Sequence, residues 1–383
     1  MLIDYNNPDP LYKQIVKDLT EQVQEKNLHP HQQIPSQREL SEYYQVSMIT
    51  VKKAISELIN QGILYSRVGK GTYVAKPPQG LEVQNQQTIG LVLTSLKSPY
   101  FSMIAHEVER KASEEGYTIL LANSSGKPEK EKQQLRRFLE MGVNGLIVVS
   151  MTRDYSDDNI FHDLHDEKVP YVVVSYVNDP AIYHVGTAHE EGAFLATEHL
   201  IKQGFESIGY ISGEYGNILG DVREAGFRRA MMQYKMDIRE EFIFHLPLEG
   251  EWNDFQSGYI IARDFLNMKQ RPRAIFAYND LAALGFQEAI AEHGLTVPGD
   301  VALVGFDDID RAQYASVPLT TIRQPVPEIC NVAVDKLLSQ IHHEPVETQS
   351  ILQPELIVRK SSGTLSRNNG NYTTVPEHLK IYK

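Results

Sequence analysis

The sequence predicts an α/β protein in two parts: a three-helix unit closed by a β-hairpin, then a larger body built on parallel sheets. Three observations carry this. Over residues 1–76, apolar positions recur at helical spacing and end in two short strands around a glycine tip. At 77–87, Pro77, Pro78, Gly80 and the Gln/Asn-rich EVQNQQ interrupt the periodicity and read as a linker. Over 88–363, short β-branched runs alternate with helical segments, as strands buried on both faces do. The polar, Asn-rich residues 364–383 read as a disordered tail.

A chain of 383 residues implies two or three domains and a sizeable core. No apolar run approaches the roughly 18 residues of a membrane span. The start, MLIDYNNPDPLYKQ, lacks the basic and apolar blocks of a secretory signal, so a cytoplasmic location and no membrane partner are expected. The single cysteine, Cys330, can form neither an internal disulfide nor a zinc-ligand pattern and reads as a small buried apolar residue. A net charge of -13 argues against nucleic acid if taken as one number. Its distribution argues otherwise: between Arg38 and Lys76 the chain has six basic residues and three acidic ones.

In the first unit, PLYKQIVKDLTEQVQEKNL places Leu11, Ile15, Leu19 and Val23 on one helix face. In SQREL, Ser36 and Glu39 have the spacing of a reciprocal capping box and open a second helix through Tyr43 or Tyr44. After a turn at Gln45 and Val46, Ser47 can cap a third helix. Its inner face is Val51, Ala54, Ile55, Leu58 and Ile59, its outer face Met48, Ile49, Lys52, Lys53 and Ser56, and Gly62 stops it. ILYSRVGKGTYVA then reads as a hairpin in which Gly69 and Gly71 supply φ values that other residues avoid.

Three helices and a hairpin, basic on the outer side of the third helix and at Lys70, make a winged helix-turn-helix. Such a helix fits the major groove, and the Lys70 tip can lie along the neighbouring groove or backbone. The competing reading is a small helical domain that binds a protein. The combination of elements weighs against it.

In the body, the runs TIGLVL, YTILLANS, GLIVVS, YVVVSY, SIGYISG, AIFAYND and VALVGFDD describe parallel strands. Ligands in such sheets bind beyond the carboxyl ends of the strands, which directs attention to Ser175, Asn279, Asp280, Asp307 and Asp308. With Tyr100, Phe101, Arg223 and Trp252 these combine planar hydrogen-bonding groups with aromatic faces, as a small polyhydroxyl ligand requires. Asp308 reads better as a cap or structural partner. Trp252 alone reads as core or as ligand platform, and the polar EGEWND around it tilts it outward. HEEG at His189 lacks the second His of a zinc-protease signature, and GKGT at Gly69 lacks the spacing of a phosphate loop. With no serine elbow either, no enzyme, metal or cofactor is expected.

The segments PLYKQI, IPSQREL, VSMITVKKAISEL and QGILYSRVGKGTYV resemble the amino-terminal domain of the gluconate-repressor (GntR) superfamily of bacterial transcription factors. By that resemblance Arg38, Thr50, Lys52 and the wing residues Gly69, Lys70 and Gly71 contact DNA, with Ser47, Met48 and Lys53 on the same helix. Met48 and Lys52 stand where the superfamily usually has Arg. Lys lacks the bidentate fork, so the superfamily's base preference does not carry over.

Residues from about 88 to 363 resemble the effector domain of the lactose/galactose repressor family and the periplasmic sugar-binding proteins. The resemblance rests on SPYF, HEEGAFLATEHLIKQG, DVREAGFRRAM, GEWNDFQSGY, AYNDLAALG, VPGDVALVGFDDID, PLTTIRQP and ELIVRKSSG. It implies two Rossmann-like lobes crossed three times by the chain, near residues 187, 322 and 353. It also implies a sugar stacked on Tyr100 and Phe101, closed over by Trp252 and bonded by Arg223, Asn279, Asp307 and Gln324. Ser175 falls where some sugar repressors have Asp. Winged helix and effector domain together match arabinose-repressor-like regulators.

The expected protein is therefore a homodimeric repressor of carbohydrate-utilisation genes, bound to double-stranded operator DNA and controlled by a monosaccharide. A purine or sugar-phosphate effector is the alternative within the class. A stand-alone solute-binding protein would not need the winged helix. A pyridoxal-phosphate enzyme would need a longer body and a cofactor lysine motif.

Overall fold

The computed structural model describes residues 10–24, 28–60, 62–67, 71–75, 87–150, 160–214, 217–247, 254–368 and 371–375. The chain divides into two compact units, Met1–Gln86 and Gln87–Lys383.

The first unit contains α1 (Leu11–Gln24), α2 (Gln37–Tyr44), α3 (Met48–Asn60), β1 (Leu64–Arg67) and β2 (Gly71–Val74). The capping box forms: Ser36 Oγ accepts from the Glu39 N–H at 3.3 Å, and Glu39 Oε2 accepts from the Ser36 N–H at 2.7 Å. Gln45 ends α2 in the left-handed region at φ 54°, and the turn closes when the Val46 N–H donates to Ser41 O. Ile15 and Leu19 of α1 meet Val51, Ala54, Ile55 and Leu58 of α3 in one buried cluster. Each Val, Leu or Ile side chain there contributes about 1.5–3 kcal/mol by leaving water. The hairpin is antiparallel, with Tyr65 opposite Tyr73 and Arg67 opposite Gly71.

The second unit holds two six-stranded sheets. Its elements run β3 (Thr88–Leu93), α4 (Pro99–Glu114), β4 (Thr118–Asn123), α5 (Pro128–Glu140), β5 (Gly145–Val148), α6 (Ile160–Asp166), β6 (Tyr171–Val174) and β7 (His184–Thr187). Then come α7 (His189–Lys202), β8 (Ile208–Glu214), α8 (Ile218–Gln233), β9 (Ile243–Leu246), α9 (Asp254–Asn267), β10 (Ala274–Ala277) and α10 (Asp280–Glu292). The unit ends with β11 (Ala302–Asp307), α11 (Asp310–Tyr314), β12 (Thr320–Arg323), α12 (Val326–Ile341), β13 (Gln349–Leu352) and β14 (Glu355–Ile357), followed by β15 (Thr364–Asn368) and β16 (Asn371–Val375).

One sheet has the order β13-β7-β6-β5-β3-β4 and is wholly parallel; the other, β14-β12-β11-β10-β8-β9, is parallel except for β14. Helices cover both faces of each sheet, so strand residues such as Leu91, Val92, Phe276 and Leu303 are fully buried. The chain passes between the lobes after β7, after β12 and between β13 and β14. Cys330 lies fully buried on α12, as its reading as a small apolar residue expects.

Two outcomes differ from expectation. Residues 364–368 and 371–375, within what was read as a disordered tail, pair as antiparallel strands β15 and β16, where Thr364, Tyr372, Thr373, Thr374 and Val375 are residue types that favour strands. Strands β7, β9, β12, β13 and β14 carry no long apolar run. In β12, for instance, Thr320 and Thr321 are buried with their hydroxyls bonded to Ser362 and Asp280, which polarity-based reading takes for surface. The expected linker at 77–86 lies outside the described residues. No helix among the described residues is long and apolar enough to cross a membrane.

Helices α9 and α10 approach through glycines. A Cβ added to Gly285 would stand 1.8 Å from the Phe255 carbonyl oxygen, and one added to Gly258 would stand 2.0 Å from that of Ala282. Backbone at such distances must move, so Gly285→Ala is expected to destabilise the second unit by about 1–3 kcal/mol. A lowered thermal midpoint in calorimetry checks this.

Candidate ligand site and nucleic-acid interface

On the first unit, α3 turns Val51, Ala54, Ile55 and Leu58 inward and leaves Ser47, Met48, Ile49, Lys52, Lys53 and Ser56 in solvent. Ser47 Oγ accepts from the Thr50 N–H at 3.2 Å and shares a 2.8 Å bond with the Thr50 hydroxyl, so Ser47 caps the helix and orients Thr50. Lys53 Nζ lies 4.0 Å over the Tyr12 ring, whereas Lys52 is exposed. Arg38 opens α2 with an 84 % exposed side chain, its Nε 3.1 Å from Glu42. Gly71 starts β2 at φ 109°, a conformation that favours glycine. Gly69 and Lys70 lie outside the described residues. Sequence reasoning missed one feature: Arg67 lies 5.5 Å over both Tyr65 and Tyr73, whose rings stack at 5.6 Å. The period-two spacing of Tyr65 and Arg67 was the available signal.

In the second unit, several of the expected ligand residues meet where the chain crosses between the lobes. Gln324, just past β12 and buried, receives the Tyr100 hydroxyl on its Oε1 at 3.0 Å and the Thr187 hydroxyl at 2.7 Å. Its Nε2 donates to Asp307 Oδ1 at 2.8 Å. One amide thus ties the carboxyl ends of β7 and β11 to the start of α4. Tyr100 itself packs against the cores of both lobes.

Arg223, buried on α8, donates to the Tyr278 carbonyl at 2.6 Å, lies 3.5 Å from Asp307 Oδ1 and stacks 3.7 Å over the Phe306 ring. Its second terminal nitrogen lies 3.3 Å from His189 Nδ1. Burial and the Arg223 charge push the His189 pKa well below the usual range, so His189 is a neutral ring that accepts on Nδ1. Asp307 sits at φ 113° at the tip of β11. Burial pushes its carboxyl up to about 6, against the opposing pull of Arg223 and Gln324.

Asn279 is placed differently from its neighbours. Its Oδ1 caps α10 by accepting from the Ala282 N–H at 2.8 Å, and its Nδ2 donates to Asp254 Oδ2 at 2.6 Å. Phe101 is half-buried, edge-on to Tyr100 at 5.6 Å, and packs against the core of the first lobe. Ser175 follows β6, half-buried, its N–H donating to Val185 O. Trp252 lies outside the described residues.

The two other aspartates past strand ends have structural partners. Asp308 takes Arg323 Nε at 2.7 Å and a terminal nitrogen of Arg359 at 2.6 Å. Asp280, fully buried, takes the Thr321 hydroxyl at 2.5 Å and the Ile309 N–H at 2.9 Å, which ties β10 to β12 and to the loop behind Asp307. Thr187, His189, Tyr278 and Asp254 were not singled out as ligand residues from the sequence. Their signal was position: Thr187 ends HVGT, a strand with no apolar run to mark it, and Tyr278 follows the AIFA run directly.

The descriptions "Bacterial regulatory proteins, gntR family" and "Periplasmic binding protein-like domain" match residues 11–74 and 197–362. The arabinose metabolism transcriptional repressor of Geobacillus stearothermophilus is 32% identical over 364 residues, 92% of this chain and 98% of that protein. The HTH-type transcriptional repressor PurR of Haemophilus influenzae (strain PittEE) is 33% identical over 287 residues, 74% of this chain and 83% of its own. Among solved structures, the transcriptional regulator CelR-cellobiose complex is similar with a TM-score of 0.64 and 26% identity, covering 83% of this chain and 92% of that one.

Proposed function

This chain belongs to the family of bacterial transcriptional repressors that join a gntR-type DNA-binding domain to a periplasmic-binding-protein-like effector domain, and we propose that its effector is a small neutral sugar bound between the lobes. The protein is a DNA-binding repressor with a ligand-binding effector domain.

The observation that carries the sugar is the charge balance around Arg223. Its guanidinium faces Asp307 at 3.5 Å and also feels the Asp254 carboxylate. The cluster therefore offers no surplus positive charge to a phosphate. It offers Asp307, Arg223 and Gln324 as paired donors and acceptors for hydroxyls, with Tyr100 and Phe101 as aromatic faces. Two of the similar proteins are linked to sugars by name, one to arabinose metabolism and one to cellobiose. Asn279 holds Asp254 in place from the cap of α10, and Ser175 and Trp252 complete the proposed ligand set.

In this reading Arg38, Ser47, Met48, Thr50, Lys52, Lys53 and the wing at Gly69, Lys70 and Gly71 form the operator-binding face of each subunit of a homodimer. The sugar closes the lobes and releases DNA from carbohydrate-utilisation genes. It does so only through different affinity for the two states, and a typical coupling of about 1–3 kcal/mol changes operator affinity roughly 5- to 150-fold.

Calorimetric titration with pentoses, hexoses, sugar phosphates and purines tests the reading. Saturable binding of one neutral sugar is the expected result, and binding confined to phosphates or purines overturns it. The same titration has an expected pH dependence. A carboxyl raised to about 6 is protonated below that pH and loses acceptor strength for ligand hydroxyls. Asp254, also raised by burial, shifts in the same direction, while His189 stays neutral throughout. Sugar affinity should therefore be flat above pH 7 and fall below pH 6, by up to about tenfold per pH unit for one proton.

A further inference from the structure

We infer that Ile49, with Met48 beside it, reads the 5-methyl groups of thymines in the operator. The inference rests on the operator-binding reading above. On α3 the apolar residues that serve the fold are inside: Val51, Ala54 and Leu58 are fully buried, and Ile55 is nearly so. Ile49 is 80 % exposed and Met48 49 % exposed, in the first turn of the same helix. Neither joins the buried cluster of the unit.

Their neighbours mark this turn as a nucleic-acid face. Lys52 lies three residues beyond Ile49 and four beyond Met48, on the same side of the helix, and Lys53 lies four beyond Ile49. Lys52 is exposed, positioned to meet phosphates, whereas Lys53 turns back over Tyr12. A helix in the major groove presents its first turn to base edges. An isoleucine there can neither donate nor accept a hydrogen bond. The apolar group that base edges offer in the major groove is the thymine methyl. A β-branched side chain, stiff at χ1, holds its methyl groups at low entropic cost in a contact of this kind. The consequence is an operator whose recognition depends on thymine at the step under Ile49.

The test uses the full-length protein and an operator selected from a random duplex pool. Each thymine is replaced in turn by deoxyuracil, which removes the methyl and keeps every hydrogen-bonding group. At one or two positions in each half-site the replacement should weaken binding about fourfold, the value of one buried methyl. At those positions Ile49→Ala should bind the thymine and uracil duplexes equally, while Lys52→Ala should weaken both alike and keep the difference. Ile49 is exposed, so an unchanged melting temperature is expected for its variant. If no thymine is sensitive, or Ile49→Ala keeps the full thymine preference, the inference is wrong while the operator-binding reading stands. Failure to select any duplex would remove that reading and this inference with it.

Discussion

Asp307→Asn should leave operator binding intact and weaken sugar binding about 10- to 150-fold, so that sugar no longer releases DNA at concentrations that saturate the parent protein. Asp307 is the buried acceptor of the crossing cluster, bonded by Gln324 Nε2 at 2.8 Å and facing Arg223 at 3.5 Å. Replacing a carboxylate by an amide of the same shape removes a charged acceptor from ligand hydroxyls. Asparagine is preferable to alanine here because φ of 113° strains most side chains, whereas Asn tolerates positive φ better than most. The fold should survive: a carboxyl pushed up to about 6 is one whose charge the folded state disfavours, so a neutral isostere costs little at pH 7. Operator binding should persist because the candidate DNA residues belong to the first unit, which has its own core. Gel shifts with and without sugar read both properties. A variant that still responds fully contradicts the role given to Asp307.

Arg38→Ala is expected to do the reverse. Its side chain is 84 % exposed at the start of α2, and its 3.1 Å pair with Glu42 is a surface contact of little worth to stability. Sugar binding and melting temperature should not change. Operator affinity should fall roughly 5- to 150-fold, the range of one good arginine contact to a base pair. If Arg38 meets a phosphate instead, the loss will be uniform across operator sequences, and the log–log salt slope will drop by about one. Binding titrations at several salt concentrations, on the selected operator and on unrelated DNA, separate the two cases. Unchanged affinity would remove Arg38 from the interface.

Much of this protein was legible because local rules and tertiary structure agree. Ser36 and Glu39 form the box their spacing promised, and the inner and outer faces of α3 are those its period assigns. Six of the seven apolar runs became inner strands, since an apolar run covered by helices on both faces needs no alternation, whereas YTILLANS became the partly exposed edge strand β4. Other parts were hidden. Strands such as HVGT and TTIR lack an apolar run, and their buried hydroxyls are satisfied by partners far away in sequence, such as Ser362 for Thr320. The tail hairpin was missed because polar composition says little about pairing.

What the sequence determined by itself was the type of each unit and the chemical kinds of residue at its sites, because helical period, capping and strand-end position are local properties. Which of those residues cooperate was decided only by tertiary structure. Asn279 and Asp307 both stand at the carboxyl end of a strand and look alike in sequence, yet Asn279 caps a helix and braces Asp254, while Asp307 faces Arg223. Gln324 acquires its role from Tyr100, 224 residues away along the chain, and from Thr187, 137 away. A hydrogen bond depends on distance and direction in space, and no local pattern in the chain encodes which distant groups folding will bring within 3 Å of one another.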